Sequence, residues 1–288
     1  MIKKGIVLAG GTGSRLSPAT KSTNKQLLPL YDKPLFFYPL SVLMLAGIKD
    51  ILIITNPKEE KNFKKAVGDG SHLGIKIRYL EQKKPKGIPE AFKIGKKFIS
   101  NDNVALILGD NFFYGQRLSD TLVTAKNFLN GCAIFLKTVS KPENYGVAVL
   151  KKNKILKISE KPKKKISSEA ITGLYFFDKE VVKFSQKLKP SKRKETEIID
   201  LINLYKKKGK LNFNKIGRGA VWSDVGKIED FTNISNFVYS IEKVQGIKIA
   251  CLDEISYKNH WINKKQIRKN IKFYGKCPYS EYLKKIIN

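Results

Sequence analysis

Gly5-Ile6-Val7-Leu8-Ala9-Gly10-Gly11-Thr12-Gly13-Ser14-Arg15-Leu16 is the stretch on which the reading of this chain turns. A short apolar run passes directly into a glycine cluster, the pattern of a buried strand that ends in a tight loop. Glycines let a backbone approach a phosphate closely and leave N–H groups free to form an anion nest. A helix N-terminus behind the loop would add its dipole, and Arg15 could then grip phosphate oxygens with its planar fork. Two familiar phosphate loops fit worse. No GxxxxGK[ST] run exists, and the third position of a GxGxxG fingerprint, counted from Gly11 and Gly13, is Leu16. A tight turn with no ligand would look the same in isolation, so the rest of the chain decides.

Outward from that loop, Ile51-Leu52-Ile53-Ile54 and Val104-Ala105-Leu106-Ile107-Leu108 are further buried-strand runs, and residues 75–80 alternate like a strand. Helix-length segments at 34–46, 59–67 and 90–98 separate them. This alternation predicts right-handed βαβ units and a parallel sheet. After residue 131 strands follow more densely, at 132–139, 147–150, 155–158, 173–177 and 211–216, with a hairpin turn at Lys151-Lys152-Asn153-Lys154. Helices are predicted at 179–188, 195–208 and 227–241, then a mixed tail ending in a helix over 280–287. The expected fold is α/β: a Rossmann-like, mostly parallel mixed sheet with flanking helices, a small β subregion and a C-terminal helical extension.

Composition narrows the function. The chain has 288 residues, 42% of them hydrophobic, which is enough for a sizeable core. No apolar run reaches membrane-spanning length, and the N-terminus lacks the pattern of a secretory signal, so a cytoplasmic protein without a membrane partner is expected. Cys132, Cys251 and Cys277 are far apart and read as reduced thiols. His72 and His260 are the only histidines, which argues against a histidine-ligated zinc site and a Ser-His-Asp triad. The net charge of +31 would suit nucleic acid. However, the charge is lysine spread along the whole chain rather than an arginine-rich stripe, and a solvated lysine-rich surface is the preferred account.

Three further positions carry chemistry. Lys25, in Lys25-Gln26-Leu27-Leu28-Pro29, lies ten residues after Arg15, so one loop could bring both cations to one polyphosphate. Asp110 follows an apolar strand, at the carboxyl end where open α/β sheets place their ligand crevice. A carboxylate there suits Mg²⁺, and Asp224 is a second candidate ligand.

Together these residues resemble the nucleotidyltransferases that make nucleotide-sugars, and within them the subgroup that uses dTTP and glucose 1-phosphate. The resemblance extends over nearly the whole chain. It rests on residues 8–18, on Lys25-Gln26-Leu27-Leu28-Pro29-Leu30-Tyr31-Asp32-Lys33-Pro34, on Leu108-Gly109-Asp110-Asn111, and on Tyr145-Gly146-Val147. Glu160-Lys161-Pro162, Thr172-Gly173-Leu174-Tyr175-Phe176, Trp222-Ser223-Asp224-Val225-Gly226 and residues 245–251 extend it.

The resemblance implies roles residue by residue. Leu8, Gly10, Gly11, Thr12, Gly13 and Gln26 would surround the nucleotide, and Gln82 and Gly87 would read the base edge. Arg15 and Lys25 would hold the triphosphate, and Asp110 and Asp224 would hold Mg²⁺. Asn111, Tyr145, Gly146, Glu160 and Thr172 would contact the sugar, and Lys161 its phosphate. Residues 1–240 would form the catalytic domain, 1–112 mainly for the nucleotide and 113–240 mainly for the sugar. Residues 241–288 would be an extension for regulation or assembly. A homotetramer is implied, as is a feedback site for a nucleotide-sugar near Gly115, Arg218, Cys251 and Ile255. The implied reaction opens the synthesis of dTDP-rhamnose or a related deoxysugar. UTP or another triphosphate on the same scaffold is the nearest alternative, and a nucleic-acid-binding protein a distant one. The chain departs from the subgroup at Ser17, Pro89 and Ile199 and in its lysine content.

Overall fold

Strand β1 (Lys4–Ala9) sends Val7 into one apolar layer and Ile6 into the opposite one. The computed structural model, which describes residues 1–11, 13–127, 130–191 and 193–288, repeats that alternation across its central sheet. A short pair, β2 (Pro29–Leu30) and β3 (Lys33–Pro34), precedes β4 (Asp50–Thr55), β5 (Lys76–Glu81), β6 (Val104–Leu108) and β7 (Asn111–Tyr114). Ile51, Ile53, Ala105 and Ile107 join Val7 on one face, whereas Leu52, Ile54, Val104 and Leu106 join Ile6 on the other. Strands buried on both faces read as continuous apolar runs, which is why 51–54 and 104–108 were legible.

The second half supplies β8 (Cys132–Thr138), β9 (Gly146–Lys151), β10 (Lys154–Glu160), β11 (Glu169–Phe177), β12 (Leu211–Lys215) and β13 (Val221–Asp224). The main sheet runs β5-β4-β1-β6-β11-β9-β10, and β8 joins β11 to β12 as a branch. β5, β4, β1 and β6 are mutually parallel, whereas β11 is antiparallel to β6, β8 and β9. The sheet is thus mixed, as expected. β11 is the fork: Leu174 to Phe177 pair with β6, Ala170 pairs with β9, and the register with β8 shifts between Ile171 and Tyr175.

Boundaries differ from the sequence reading for local reasons. The helix expected over 34–46 spans Phe37–Leu45, because Lys33 and Pro34 are drawn into the β2–β3 pair. The helix expected over 90–98 splits into Glu90–Ile94 and Lys96–Ile99 at Gly95. β7 and the helix Leu118–Asn127 were not anticipated. Helix Ile228–Gln245 runs through residue 240, the expected domain edge. Beyond it, the tail folds into helices Leu252–Lys258, Lys264–Tyr274 and Pro278–Ile287. None of the helices among the described residues is long and apolar enough to cross a membrane.

The extension is organised around fully buried Asp253. Its carboxylate accepts from Asn270 Nδ2 at 2.6 Å, Tyr279 Oη at 2.9 Å and Tyr274 Oη at 3.3 Å, so one acid joins the three helices. Burial pushes its pKa up, and the donors pull it back. Asp253→Ala would leave several buried donors without a partner, costing about 2–3 kcal/mol. We expect a lower urea midpoint by circular dichroism; an unchanged midpoint would remove Asp253 from this role.

Candidate active site

Strand order places a crevice before any side chain is considered. From β1 the chain moves to β4 and β5 on one side, then crosses to β6 on the other side of β1. The carboxyl ends of β1 and β6 therefore flank a topological switch point, where open α/β sheets bind ligands. The glycine loop leaves β1 there and Asp110 leaves β6, with the Gly109 N–H donating to the Leu8 carbonyl at 2.9 Å. Past Asp110 the chain turns out of the main sheet into β7, which pairs with β13 so that Asp224 lies opposite Asn111. The Val225 N–H donates to the Asp110 carbonyl at 3.0 Å.

That small ladder brings two carboxylates together. Asp224 is pushed up to about 6, first by burial and then by the nearby Asp110 charge, with Lys25 and Arg15 pulling it back down. Buried Lys25 places its Nζ 2.8 Å from Asp110 Oδ2. Asn111 Nδ2 donates to the other Asp110 oxygen at 3.0 Å. Asn111 Oδ1 accepts from Trp222 Nε1 at 2.8 Å and from the Gly173 N–H at 3.0 Å. Asn111, expected on the sugar, is therefore also the buried connector of β7, β11 and β13. Among the described residues no third His, Cys, Asp or Glu completes a metal-binding cluster.

On the nucleotide side, Gly10 lies directly beneath the Gln82 amide: a Cβ there would fall 2.5 Å from Gln82 Oε1. Gln82 is buried, and its Nε2 donates to Glu90 Oε2 at 2.7 Å. Gln26 is also buried, adjacent to Gly11, and its Oε1 receives no hydrogen bond from the described residues. A buried acceptor without a donor calls for an explanation. The Thr20 hydroxyl donates to the Gly13 carbonyl at 2.9 Å, and Asn24 Nδ2 donates to the Ala9 carbonyl at 3.3 Å. Thr12 lies outside the described residues. Behind the loop there is only the three-residue 3₁₀ turn Ser14–Leu16, so the helix dipole expected there is absent, and anion attraction falls to Arg15, Lys25 and the backbone N–H groups.

On the sugar side, Arg15, Tyr145, Lys161 and Asp224 line one cavity of about 580 Å³. The Tyr145 ring packs against Trp222 with centroids 5.0 Å apart, and its carbonyl accepts from the Lys161 N–H at 3.1 Å. Gly146 pairs across the hairpin with Glu160, and Ile199 packs over it. Burial raises the Glu160 pKa, with Lys161 opposing. Thr172 is fully buried and spends its hydroxyl proton on the Phe135 carbonyl at 3.0 Å, so its side chain faces the core. Sequence reasoning missed Arg193, whose Nη2 lies 3.8 Å from Glu160 Oε1 and 2.9 Å from Glu197 Oε2. It also missed Asn24 and Glu90. Asn24 was findable as a capping-type residue just before Lys25, whereas nothing distinguishes Arg193 inside its lysine-rich loop.

Gly87 packs against the Thr196 backbone. Gly115, Cys251 and Ile255 line a separate cavity of about 440 Å³, while Arg218 is exposed on a neighbouring loop and does not line it. Burial pushes the Cys251 thiol up to about 12, and it donates to Tyr279 Oη at 3.3 Å.

Facing carboxylates with a lysine between a glycine loop and a basic cavity define a nucleotidyl-transfer class of site. The nucleotidyl transferase family model matches residues 4–240, and the chain belongs to that family. Its relatives include the glucose-1-phosphate thymidylyltransferases of Neisseria meningitidis, 46% identical over 99% of both chains, and Mycobacterium tuberculosis, 40% identical over the same shares. Among solved structures, a Bacillus anthracis chain assigned as a glucose-1-phosphate thymidylyltransferase, in complex with sucrose, superposes with a TM-score of 0.76 at 38% identity, covering 81% of this chain and 94% of its own. A UDP-glucose pyrophosphorylase complexed with UDP-glucose superposes at 0.72 with 25% identity, covering 83% and 99%.

The carboxylate pair sets a stability prediction. The folded chain retains the Asp224 proton up to about pH 6, whereas an unfolded aspartate releases it near ~4. The stability from that proton is present below the unfolded value and is lost as pH rises to about 6. Asp224→Asn should therefore raise the thermal midpoint of EDTA-treated protein at neutral pH, with the gap closing as pH falls toward ~4. Identical midpoints across that range would mean that the two carboxylates do not repel.

Proposed function

We propose that the chain transfers a thymidylyl group from dTTP to glucose 1-phosphate, forming dTDP-glucose and pyrophosphate. The observation that carries this reading is the placement of Lys25, Asp110, Asp224 and Arg15 around the β1/β6 switch point, in a chain related over its whole length to enzymes of that name. A phosphate oxygen of the sugar attacks the α-phosphorus in line. The bond from that phosphorus to the bridging β-phosphate oxygen breaks, and the electron pair leaves with pyrophosphate. Such transfers demand positioning and charge neutralisation, with no covalent intermediate.

Lys161 holds the sugar phosphate, and Arg15 and Lys25 neutralise the departing pyrophosphate. Gly10, Gly11 and Gly13 present backbone N–H groups to the phosphates. Gln82 and Gly87 face the base, and Gln26 Oε1, which receives no bond from the described residues, awaits a donor on the nucleoside. Tyr145, Gly146 and Glu160 form the sugar wall, with Asn111 and the backbone around Thr172 behind them. Mg²⁺ fits the donor set: two carboxylates, with phosphate oxygens and water completing its shell, as that hard ion prefers. When bound, it supplies charge neutralisation at the phosphates.

The same reading places the enzyme in the cytoplasm, as a homotetramer that makes the precursor of a deoxysugar such as dTDP-rhamnose. Exposed Tyr31, Tyr239, Val244 and Ile247 support a self-associating face. The cavity of Gly115, Cys251 and Ile255 is the candidate feedback site for a nucleotide-sugar.

A UTP-dependent reading is favoured by the UDP-glucose pyrophosphorylase likeness, and a thymine methyl is worth only ~1 kcal/mol in a pocket. Pyrophosphate release measured for four nucleoside triphosphates crossed with several sugar 1-phosphates separates the two. We expect dTTP with glucose 1-phosphate to give the highest kcat/KM; a UTP preference would replace the proposal, and no release with any pair would end it. Arg15→Ala and Lys161→Ala should each cost at least ~10²-fold in turnover, the typical loss for one transition-state contact, with the fold intact. Near-parental turnover in either would remove that residue's role.

A further inference from the structure

The base-side and sugar-side loops are far apart in sequence, yet one buried contact joins them. Gly87 takes φ +100°, and a Cβ there would fall 1.9 Å from the Thr196 carbonyl oxygen, so the two backbones are in direct contact. Thr196 is buried. Both its backbone N–H, at 2.9 Å, and its hydroxyl, at 3.0 Å, donate to the Lys86 carbonyl.

The contact continues in both directions. Toward the base, Glu90 Oε2 accepts from the Lys86 N–H at 3.2 Å and from Gln82 Nε2 at 2.7 Å. Gln82 is the side chain that lies over Gly10. Toward the sugar, Glu197 follows Thr196 in the chain. It accepts from Arg193 Nη2 at 2.9 Å and from the Ser191 hydroxyl at 2.8 Å, and Arg193 lies 3.8 Å from Glu160. A line of hydrogen bonds and chain neighbours thus runs from Gln82 through Glu90, Lys86, Thr196 and Glu197 to Arg193, which closes on Glu160 as an ion pair at 3.8 Å.

We infer that Thr196 is a positioning residue that couples the two substrate half-sites, its doubled hydrogen bond to Lys86 fixing the base-side loop against the sugar-side loop. The inference rests on the assignment of Gln82 to the base and Glu160 to the sugar. Thr196 touches neither substrate and acts through Gln82 and Arg193. It makes one binding-competent frame out of two loops, so each substrate meets a site that the other loop has already aligned. A chain of contacts alone does not establish coupling; the test must show that one substitution moves both sides.

Thr196→Val removes the hydroxyl and keeps the shape and the backbone bond, and Thr196→Ser restores the hydroxyl. With dTTP and glucose 1-phosphate, Thr196→Val should raise both KM values about 3–10-fold, the scale of one buried hydrogen bond, while kcat stays within about twofold. Thr196→Ser should return both KM values to the parental level. A rise confined to one substrate, or in neither, overturns the coupling.

Amide hydrogen exchange gives a readout that needs no catalysis. In Thr196→Val, residues 86–88 and 193–195 should both exchange faster than in the parent, with helix Ile228–Gln245 unchanged as an internal control. Exchange changed in only one of the two loops, or in neither, also overturns the inference. If the parent shows no turnover with these substrates, the thymidylyltransferase reading fails, and the exchange result still decides whether Thr196 joins the loops.

Discussion

Two like charges set at the switch point of the sheet are the constraint around which the rest of the site is arranged. Asp110 leaves β6 and Asp224 ends β13, and the β7–β13 ladder with the Val225-to-Asp110 backbone bond holds their two backbones together. Their repulsion and burial raise the Asp224 pKa, so the fold must offset the cost. Lys25 does so from one side, bonded to Asp110, and Arg15 does so from across the cavity. Asn111 holds the second Asp110 oxygen and is itself fixed by Trp222 and Gly173. In the proposed polyphosphate transfer this tension would be useful, because a divalent cation would relieve it and the cations that restrain it would be freed to meet the leaving pyrophosphate.

The mixed sheet follows from the same requirement. Here β11 pairs with β6 over its last residues and opens toward β9 over its first, which splays a second wall away from the nucleotide side. Tyr145, Gly146, Glu160 and Lys161 are carried on that wall. The loop before the C-terminal helices is tied back by Lys248, which bonds both Asp32, in the β2–β3 turn, and Glu242 of the long helix.

Much of this was legible in the residues because strand burial and site chemistry both leave local marks. β1, β4 and β6 contain continuous apolar runs; Gly10, Arg15 and Lys25 lie in the chain that leaves β1, and Asp110 follows β6. What could not be read were features made by long-range geometry. β7 is a short strand that exists only because β13 pairs with it. Arg193 is one cation in a lysine-rich loop, in a chain with 56 basic and 25 acidic residues, and only its approach to Glu160 singles it out. A helix dipole that could have backed the glycine loop is replaced for a local reason: the chain after Gly13 makes a 3₁₀ turn before reaching Thr20 and Asn24, whose side chains hold the loop. The wide dispersal of lysine fits a solvated surface, and the cations that matter are the few drawn into the cavity.

The central claim is that Asp110 and Asp224 hold one cation jointly beneath the triphosphate. A crystal structure with Mn²⁺ in place of Mg²⁺, a non-hydrolysable dTTP analogue and glucose 1-phosphate tests it most directly through the anomalous signal of the metal. The account predicts a peak bridging the two carboxylates at oxygen distances of about 2.0–2.3 Å, with Lys25 released from Asp110 toward the phosphates. A metal bound to neither carboxylate, or to one with the other still engaged by protein alone, would contradict it.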